Sequence, residues 1–235
     1  VILKEDTYLR LLHIAFEAAS SRNVLMTLGI KPTRPDTGYG YIQYTHKQGY
    51  NDMYKVKAFK EKPDLSAAKA YLTSGDYLWN AGMFVWSVET ILSAFNSYAP
   101  EILRILTEDL SCFFSAREQD YVDKVYPNTP NISIDYAILE NADSVFTIPA
   151  DIGWSDLGTW NSLHAYLSSA DDKVTIGKNI FLEDCKDIIV MSNNHKQIVI
   201  KGLSDYIVID EDNALLIYPK SAEQEIKSVV NKLNT

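Results

Sequence analysis

The sequence predicts an α/β domain followed by a small β-rich domain. Strand-like and helix-like hydrophobic patterns alternate as far as residue 168, which is typical of a largely parallel or mixed sheet with helices on its faces. A polar linker at residues 168–172 follows, and then only short β-rich runs until a helix after Ser221. A similar tetrapeptide occurs at residues 187–190 (DIIV) and 205–208 (DYIV), and this 18-residue repeat predicts a short left-handed β-helix. A hairpin or small β-roll explains two copies nearly as well. We therefore divide the chain into residues 1–168 and 173–235.

The elements of the first domain follow from their apolar spacing. A first helix carries one apolar face and begins at Asp6 or Thr7 as its N-cap; the face consists of Tyr8, Leu12, Ala15, Phe16 and Ala19. Residues 24–30 form an almost continuous apolar run, the pattern of a strand buried on both sides. Further strands are predicted at 39–45, 53–61, 82–86 and 144–148, and further helices at 64–75, 87–98, 100–110, 134–140 and 159–167.

Composition and charge exclude several classes of function. The chain has 235 residues, 46% of them hydrophobic, and a formal net charge of −9, so a bulk polyanion such as nucleic acid is not expected as a partner. No apolar run approaches the ~20 residues of a membrane helix, so no membrane partner is expected either. Cys112 and Cys185 match no metal spacing and are predicted to be free thiols of a cytoplasmic protein. His13 and His164 are predicted on helix surfaces, and no histidine is assigned a catalytic role.

Two clusters at strand ends carry residue types suited to a polar ligand. Gly38 and Gly40 flank Tyr39, and glycines this close let the backbone approach a flat ligand, although a tight turn gives the same pattern. Glu61 and Lys62 follow a strand, where ligands of open α/β sheets bind. Glu61 could accept hydrogen bonds from sugar hydroxyls and Lys62 could neutralise a phosphate. A solvated charged turn is the alternative.

Two further clusters place a polar side chain among glycines. Asn80 precedes Ala81 and Gly82 inside an apolar stretch, and its amide offers a donor and an acceptor to a pair of sugar hydroxyls. The alternative is a bulge in which Asn80 binds backbone groups. Asp156 lies in a glycine-flanked loop before a helix, a good position for a Mg²⁺ ligand, although a helix-capping role would look the same.

Taken together, the clusters resemble mannose-1-phosphate guanylyltransferases, also called GDP-mannose pyrophosphorylases. The similar stretches occur in the family's order over nearly the whole chain, at residues 29–42, 59–63, 79–84, 133–137 and 153–158. Single clusters also occur in other sugar-1-phosphate nucleotidylyltransferases, whereas the full series resembles the mannose and guanine branch. The resemblance implies a Rossmann-like nucleotidyltransferase fold with a mixed sheet, transferring GMP from GTP to mannose 1-phosphate to give GDP-mannose and pyrophosphate.

The resemblance also implies a role for each residue of the predicted site. Lys62 would hold the sugar phosphate and Asp156 would bind Mg²⁺, and these two are the candidate catalytic residues. The remaining candidates are substrate-binding: Glu61, Asn80 and Gly82 at the mannose, Gly40 at the nucleotide sugar, and Asp135 at the ligand or orienting a neighbour.

One departure from the family pattern affects these expectations. The family's glycine-rich triphosphate loop and its second metal aspartate do not occur in this sequence, so we expect no appreciable transferase activity from this chain alone. Loss of the first part of the sheet should expose a sheet edge and apolar surface, which predicts a homo-oligomer, with the β-rich tail as an alternative contact. Two other functions stay open: a non-catalytic sugar-phosphate-binding or regulatory homologue, and an enzyme for glucose 1-phosphate with UTP or dTTP.

Overall fold

The computed structural model describes residues 1–50, 52–168 and 172–233. They form two compact units: the α/β unit, the described residues from 2 to 154, and the β-helix unit, Val1 with the described residues from 155 onward. Residues 169–171 of the predicted linker lie outside the described residues. The sequence-based boundary between 168 and 173 stays a prediction.

The α/β unit contains the predicted alternation of strands and helices. Its strands are β1 (Leu25–Ile30), β2 (Tyr41–Tyr50), β3 (Met53–Lys60), β4 (Tyr77–Val85) and β5 (Val145–Ala150). Its helices are α1 (Glu5–Arg22), α2 (Leu65–Ser74), α3 (Val88–Tyr98), α4 (Pro100–Leu106) and α5 (Glu118–Val125). Short helical turns occupy Leu110–Cys112 and Tyr126–Asn128, and the helix predicted at 134–140 is a π-helical turn, Asp135–Leu139.

Local sequence signals determine where α2 begins and ends. The Asp64 side chain accepts a hydrogen bond from the backbone N–H of Ala67 at 2.8 Å, which satisfies a donor that the helix itself cannot pair. Gly75 ends the helix with φ of 75°, a conformation that glycine adopts without a steric cost. Both ends of this predicted helix are confirmed.

The predicted details of α1 are partly wrong. Lys4, rather than Asp6 or Thr7, stands at the N-cap, and its side chain makes no capping hydrogen bond. Phe16 is 59% exposed. The rest of the predicted face is confirmed: Ala15 and Ala19 are buried, and Tyr8 and Leu12 pack partly buried against the core. Leu11 and Ala18 complete the buried stripe.

The sheet of the α/β unit is mixed, as predicted, and its described strands close on themselves in the order β1-β4-β2-β3-β5. Among the described strands of this unit only β1 and β5 run parallel, and all six residues of β1 are buried. The open sheet edge that we expected is not found among these strands. The physical reason is that β3 pairs with β5, through Tyr54 opposite Thr147 and Lys55 opposite Phe146.

The β-helix unit begins with α6 (Trp160–Leu167) and continues with short strands. They are β6 (Lys173–Ile176), β7 (Ile180–Glu183), β8 (Ile188–Ser192), β9 (Ile198–Lys201), β10 (Tyr206–Asp210) and β11 (Leu215–Pro219), followed by a turn, Lys220–Glu225, and α7 (Ile226–Leu233). Parallel β8 and β10 place Ile189 opposite Ile207, and parallel β7 and β9 place Ile180 opposite Ile198. Both offsets are 18 residues, so the predicted β-helix is confirmed, and its left-handedness stays a prediction.

The prediction that His164 lies on a helix surface is wrong. Its side chain is 6% exposed, because α6 packs onto the β-helix through Trp160 and Leu163. His164 Nε2 lies 3.1 Å from the backbone oxygen of Asp172 and 3.5 Å from Asp187 Oδ1. A buried histidine with polar partners costs less free energy than an unpaired one.

Two further findings bear on the predicted location. Cys112 and Cys185 are both free thiols and both buried. Among the residues that the structure describes, no helix is both long enough and apolar enough to cross a membrane.

Candidate active site

The loop between β1 and β2 is shaped by Arg34 and Asp36. The Arg34 guanidinium donates to Asp36 Oδ2 from Nε at 3.0 Å and from Nη2 at 2.7 Å. Asp36 Oδ1 accepts from the backbone N–H of Gly38 at 2.8 Å, and the Tyr41 hydroxyl donates to the Asp36 backbone oxygen at 2.8 Å. An aspartate that binds the N–H two residues further on is a common turn-former. These bonds fix the path of the loop up to Gly40.

Two aromatic rings contact Arg34 of the same loop. The Arg34 guanidinium carbon lies 5.2 Å from the ring centre of Trp79 and 5.7 Å from that of Tyr39, within the range of a cation–π contact. Burial by itself lowers the pKa of Arg34, but the Asp36 carboxylate outweighs it, so the pKa is raised. Arg34 is therefore a permanent cation that ties the loop to β4.

Gly40 lies against two of the predicted sugar contacts. The backbone N–H of Asn80 donates to the Gly40 oxygen at 2.8 Å. A Cβ placed on Gly40 would lie 2.5 Å from Glu61 Oε2 and 3.4 Å from Asn80 Cβ. The first separation is shorter than real Cβ atoms tolerate, so only glycine fits beside this carboxylate in its present position.

The side chain of Asn80 is held in one orientation. Its Nδ2 donates to Asp135 Oδ1 at 2.8 Å, and its Oδ1 accepts from the backbone N–H of Gly82 at 3.0 Å. An amide has two N–H donors and two acceptor lone pairs. Asn80 thus uses one N–H donor and one acceptor lone pair within the protein. Its fixed orientation also fixes the directions of the second N–H and the second lone pair. Gly82 itself has φ of 65° and no heavy atom within 4 Å of an added Cβ.

Lys62 adopts a backbone conformation that is uncommon for its type. Its φ is 42°, in the left-handed region that side chains other than Gly, Asn and Asp seldom occupy. Lys62 Nζ lies 3.6 Å from Glu61 Oε1, and the lysine side chain is 67% exposed. The turn thus places a cation next to the carboxylate that faces Gly40, at a position open to an anion.

Tyr136 is a neighbour of this group that sequence reasoning did not assign to the site. Tyr136 is 44% exposed, but partial desolvation of its phenol, with the nearby carboxylates of Glu61, Glu140 and Asp135, raises its pKa. It lies in the π-helical turn, and such turns occur often at functional sites. The signal available in the sequence was only its place beside Asp135.

Asp156 belongs to the β-helix unit. It is exposed, and its Oδ1 accepts from the backbone N–H of Gly158 at 3.0 Å. A Cβ on Gly158 would lie 2.8 Å from Asp156 Oδ2, so the glycine leaves room for the carboxylate. No group of three or more His, Cys, Asp or Glu residues suited to a metal occurs within residues 1–50, 52–168 and 172–233.

The structure thus brings five of the predicted site residues together in the α/β unit: Gly40, Glu61, Asn80, Gly82 and Asp135, with Lys62 beside them. They come from four separate stretches of the chain. Sequence reasoning missed Arg34, Asp36 and Tyr136; the spacing of Asp36 two residues before Gly38 was the signal for a turn-forming role.

The chain thus combines an α/β unit that has a mixed sheet and a cluster of polar side chains with a β-helix unit. The nucleotidyl transferase family model matches residues 1–173, and the chain belongs to this family. A second model, the mannose-phosphate isomerase/GMP-like β-helix domain, matches residues 177–233.

Several known proteins are similar over most of this chain. A mannose-1-phosphate guanylyltransferase of Escherichia coli is 30% identical over 239 residues, covering 99% of this chain and 51% of the relative. The guanylyltransferase RfbM of Salmonella typhimurium is 33% identical, covering 99% and 48%. A crystal structure from Thermus thermophilus, described as a mannose-1-phosphate geranyltransferase, has a TM-score of 0.84 and 28% identity, covering all of this chain and 67% of that one. The chain spans about half the length of these curated relatives.

Proposed function

We propose that this chain supplies the sugar-phosphate site and the β-helix of a mannose-1-phosphate guanylyltransferase. In the proposed reaction a phosphate oxygen of mannose 1-phosphate attacks the α-phosphorus of GTP. The bond from that phosphorus to the bridging oxygen breaks, which gives GDP-mannose and expels pyrophosphate. A protein that catalyses such a transfer mainly aligns the reactants and compensates their charge.

The observation that carries the proposal is the Asn80–Asp135–Gly40–Glu61 arrangement. Asn80 is fixed by the 2.8 Å bond to Asp135, and it presents one donor and one acceptor. Glu61 presents a carboxylate held against Gly40. Vicinal hydroxyls of a hexose pair well with a carboxylate and an amide in fixed positions. A site built in this way discriminates strongly between hydroxyl arrangements, since an unmatched polar group stays unpaired.

Each proposed role follows from chemistry and position. Lys62 is an exposed cation 3.6 Å from Glu61, and we assign it to the sugar phosphate. Glu61, Asn80 and Gly82 bind mannose, and Gly40 lets the ligand lie against the backbone. Asp135 acts through Asn80, as a positioning residue.

A divalent metal is general in this family, and we propose Mg²⁺, with Asp156 as one ligand. Mg²⁺ sites commonly use one or two carboxylates, with water and substrate phosphates as the other ligands. The exposed Asp156 carboxylate, for which Gly158 leaves room, is suited to serve as such a ligand. When bound, the ion would neutralise phosphate charge. We further propose a cytoplasmic location, on the two free cysteines.

Competition between sugar phosphates tests the substrate. We would record saturation-transfer NMR of mannose 1-phosphate with the 235-residue chain and titrate glucose 1-phosphate as competitor. The proposal predicts transfer signals from mannose 1-phosphate that glucose 1-phosphate displaces only in large excess. The Asn80→Ala variant should lose these signals, whereas the surface control His13→Ala should keep them. Equal competition would favour the alternative of another hexose 1-phosphate. No transfer signal from the folded chain would contradict a sugar-phosphate site altogether.

A further inference from the structure

The π-helical turn Asp135–Leu139 begins in the candidate site and leads to the protein surface. Its first residue accepts the hydrogen bond from Asn80, and the two residues that follow the turn are exposed. The second half of the turn is anchored in the hydrophobic core through Ala137, Ile138 and Leu139, none of them more than 7% exposed. The first half, which carries Asp135 and Tyr136, is less buried and is also held by hydrogen bonds.

Two successive carbonyl groups of this first half are satisfied in different ways. The Asp135 oxygen accepts from the backbone N–H of Glu140 at 2.8 Å, which is the five-residue spacing of a π-helix. The same spacing would pair the Tyr136 oxygen with the backbone N–H of Asn141. That N–H instead donates to the Ile138 oxygen at 3.0 Å, at the point where the chain leaves the helical path.

The side chain of Asn141 supplies the bond that its backbone does not make. Asn141 Nδ2 donates to the Tyr136 oxygen at 2.9 Å. Carbonyl groups at the end of a helix lack a partner within it and are satisfied by side chains, by water or by a tighter turn. The exposed amide of Asn141 takes this part here, so it is bound to the residue that follows Asp135.

We propose that Asn141 is a positioning residue of the sugar site. It acts through the π-helical turn on Asp135, and through Asp135 on Asn80. The bond to the Tyr136 oxygen holds the first half of the turn, and this keeps the Asp135 carboxylate in place to accept from Asn80 at 2.8 Å. The inference rests on the proposed function of Asn80 as a mannose contact.

The expected effect on binding is moderate. A single hydrogen bond within a protein contributes a net free energy that corresponds to about a 2- to 10-fold change in an equilibrium constant. Loss of the Asn141 side-chain bond should therefore weaken mannose 1-phosphate binding by no more than about 10-fold. The turn should stay folded, because Ile138 and Leu139 remain buried in the core.

Asn141→Asp tests the bond because it removes both N–H donors at nearly constant shape. Isothermal titration calorimetry with mannose 1-phosphate should show weaker binding than wild type. Asn128→Asp is the matched control and should bind as wild type does, because Asn128 Nδ2 makes a similar exposed bond, 2.8 Å from the Lys124 oxygen, outside the candidate site. In an Asp135→Ala background, Asn141→Asp should have almost no further effect on affinity.

The side-chain amide signals of Asn80 provide a second readout, which needs no ligand. In NMR spectra of the ligand-free chain, Asn141→Asp should shift these signals, and Asn128→Asp should not. Asn141→Ala should shift them too, which separates loss of the bond from the added charge. Circular dichroism checks that each variant is folded.

Unmoved Asn80 signals in both Asn141 variants would overturn the proposal, as would losses of affinity that simply add in the Asp135→Ala background. A wild-type chain that binds no mannose 1-phosphate would contradict the proposed function instead. The Asn80 signals of the ligand-free chain would then decide the positioning role by themselves.

Discussion

Substitution of Gly40 by alanine tests how closely the candidate site is built around Glu61. The added Cβ would lie 2.5 Å from Glu61 Oε2, where a carbon–oxygen contact needs more than 3.0 Å. Because that atom is the end of a flexible side chain, the carboxylate should retreat and the fold should persist. The free energy of unfolding should therefore change little.

Affinity for mannose 1-phosphate should fall much more than stability. A retreat of about 0.5 Å lengthens an O–H···O hydrogen bond of about 2.7 Å to about 3.2 Å, beyond the usual range for such bonds, and removes most of its strength. Loss of a hydrogen bond to a charged group costs about 1.5–3 kcal/mol, which is about a 10- to 150-fold weaker dissociation constant. Isothermal titration calorimetry of wild-type and Gly40→Ala chains measures this ratio.

A double-mutant cycle decides whether Gly40 acts through Glu61. In a Glu61→Ala background the clash no longer exists, so Gly40→Ala should have almost no further effect on affinity. Two losses that simply add would refute the reasoning, as would an unchanged dissociation constant for Gly40→Ala. His13→Ala, at an exposed residue of α1, controls for a general effect of substitution.

Three further predictions follow from named contacts. Asp135→Ala should weaken mannose 1-phosphate binding by about 10-fold or more, because Asn80 loses a charged hydrogen bond partner, and Asp135→Asn should retain part of the affinity in the same calorimetric titration. Ile188→Ala, at a fully buried site of the β-helix unit, should reduce the free energy of unfolding in urea by about 2–5 kcal/mol. Val199→Ala, at a residue that is 70% exposed, should change it far less. For Asp187, burial alone raises the pKa, but the hydrogen bond and the positive charge of Lys220 prevail and lower it. Its stabilising contribution is thus present above the ordinary value of about 3.9 and is lost as the pH falls through the lowered value. Acid unfolding of Asp187→Asn should show a shallower loss of stability over that range; an identical pH profile would contradict the assignment.

Local signals predicted much of the fold. Asp64 and Gly75 mark the ends of α2 because capping is decided by a few adjacent residues. The echo between residues 187–190 and 205–208 predicted the parallel stacking of β8 and β10, since repeated apolar positions must stack to share one core.

The features that sequence reasoning missed depend on contacts distant in the chain. The pairing of β3 with β5 joins residues such as Tyr54 and Thr147, for which neither segment carries a local signal. His164 is buried because of where α6 packs, which the helix pattern alone does not specify.

The candidate site divides in the same way. Glu61 and Lys62 were indicated by their residue types at a strand end, and Asn80 by a polar side chain beside small residues in an apolar stretch. The bond from Asn80 to Asp135 spans 55 residues, so the sequence left open whether Asp135 binds ligand or orients a neighbour. The fork between Arg34 and Asp36 is local, and its spacing could have been recognised.

Backbone NMR during titration with mannose 1-phosphate tests the central claim most directly. We expect saturable chemical-shift changes of the Gly40 and Gly82 amide signals, with a common dissociation constant. In the Asn80→Ala chain the same titration should leave both signals unshifted. A folded wild-type chain whose Gly40 and Gly82 signals stay unmoved at millimolar ligand would contradict it.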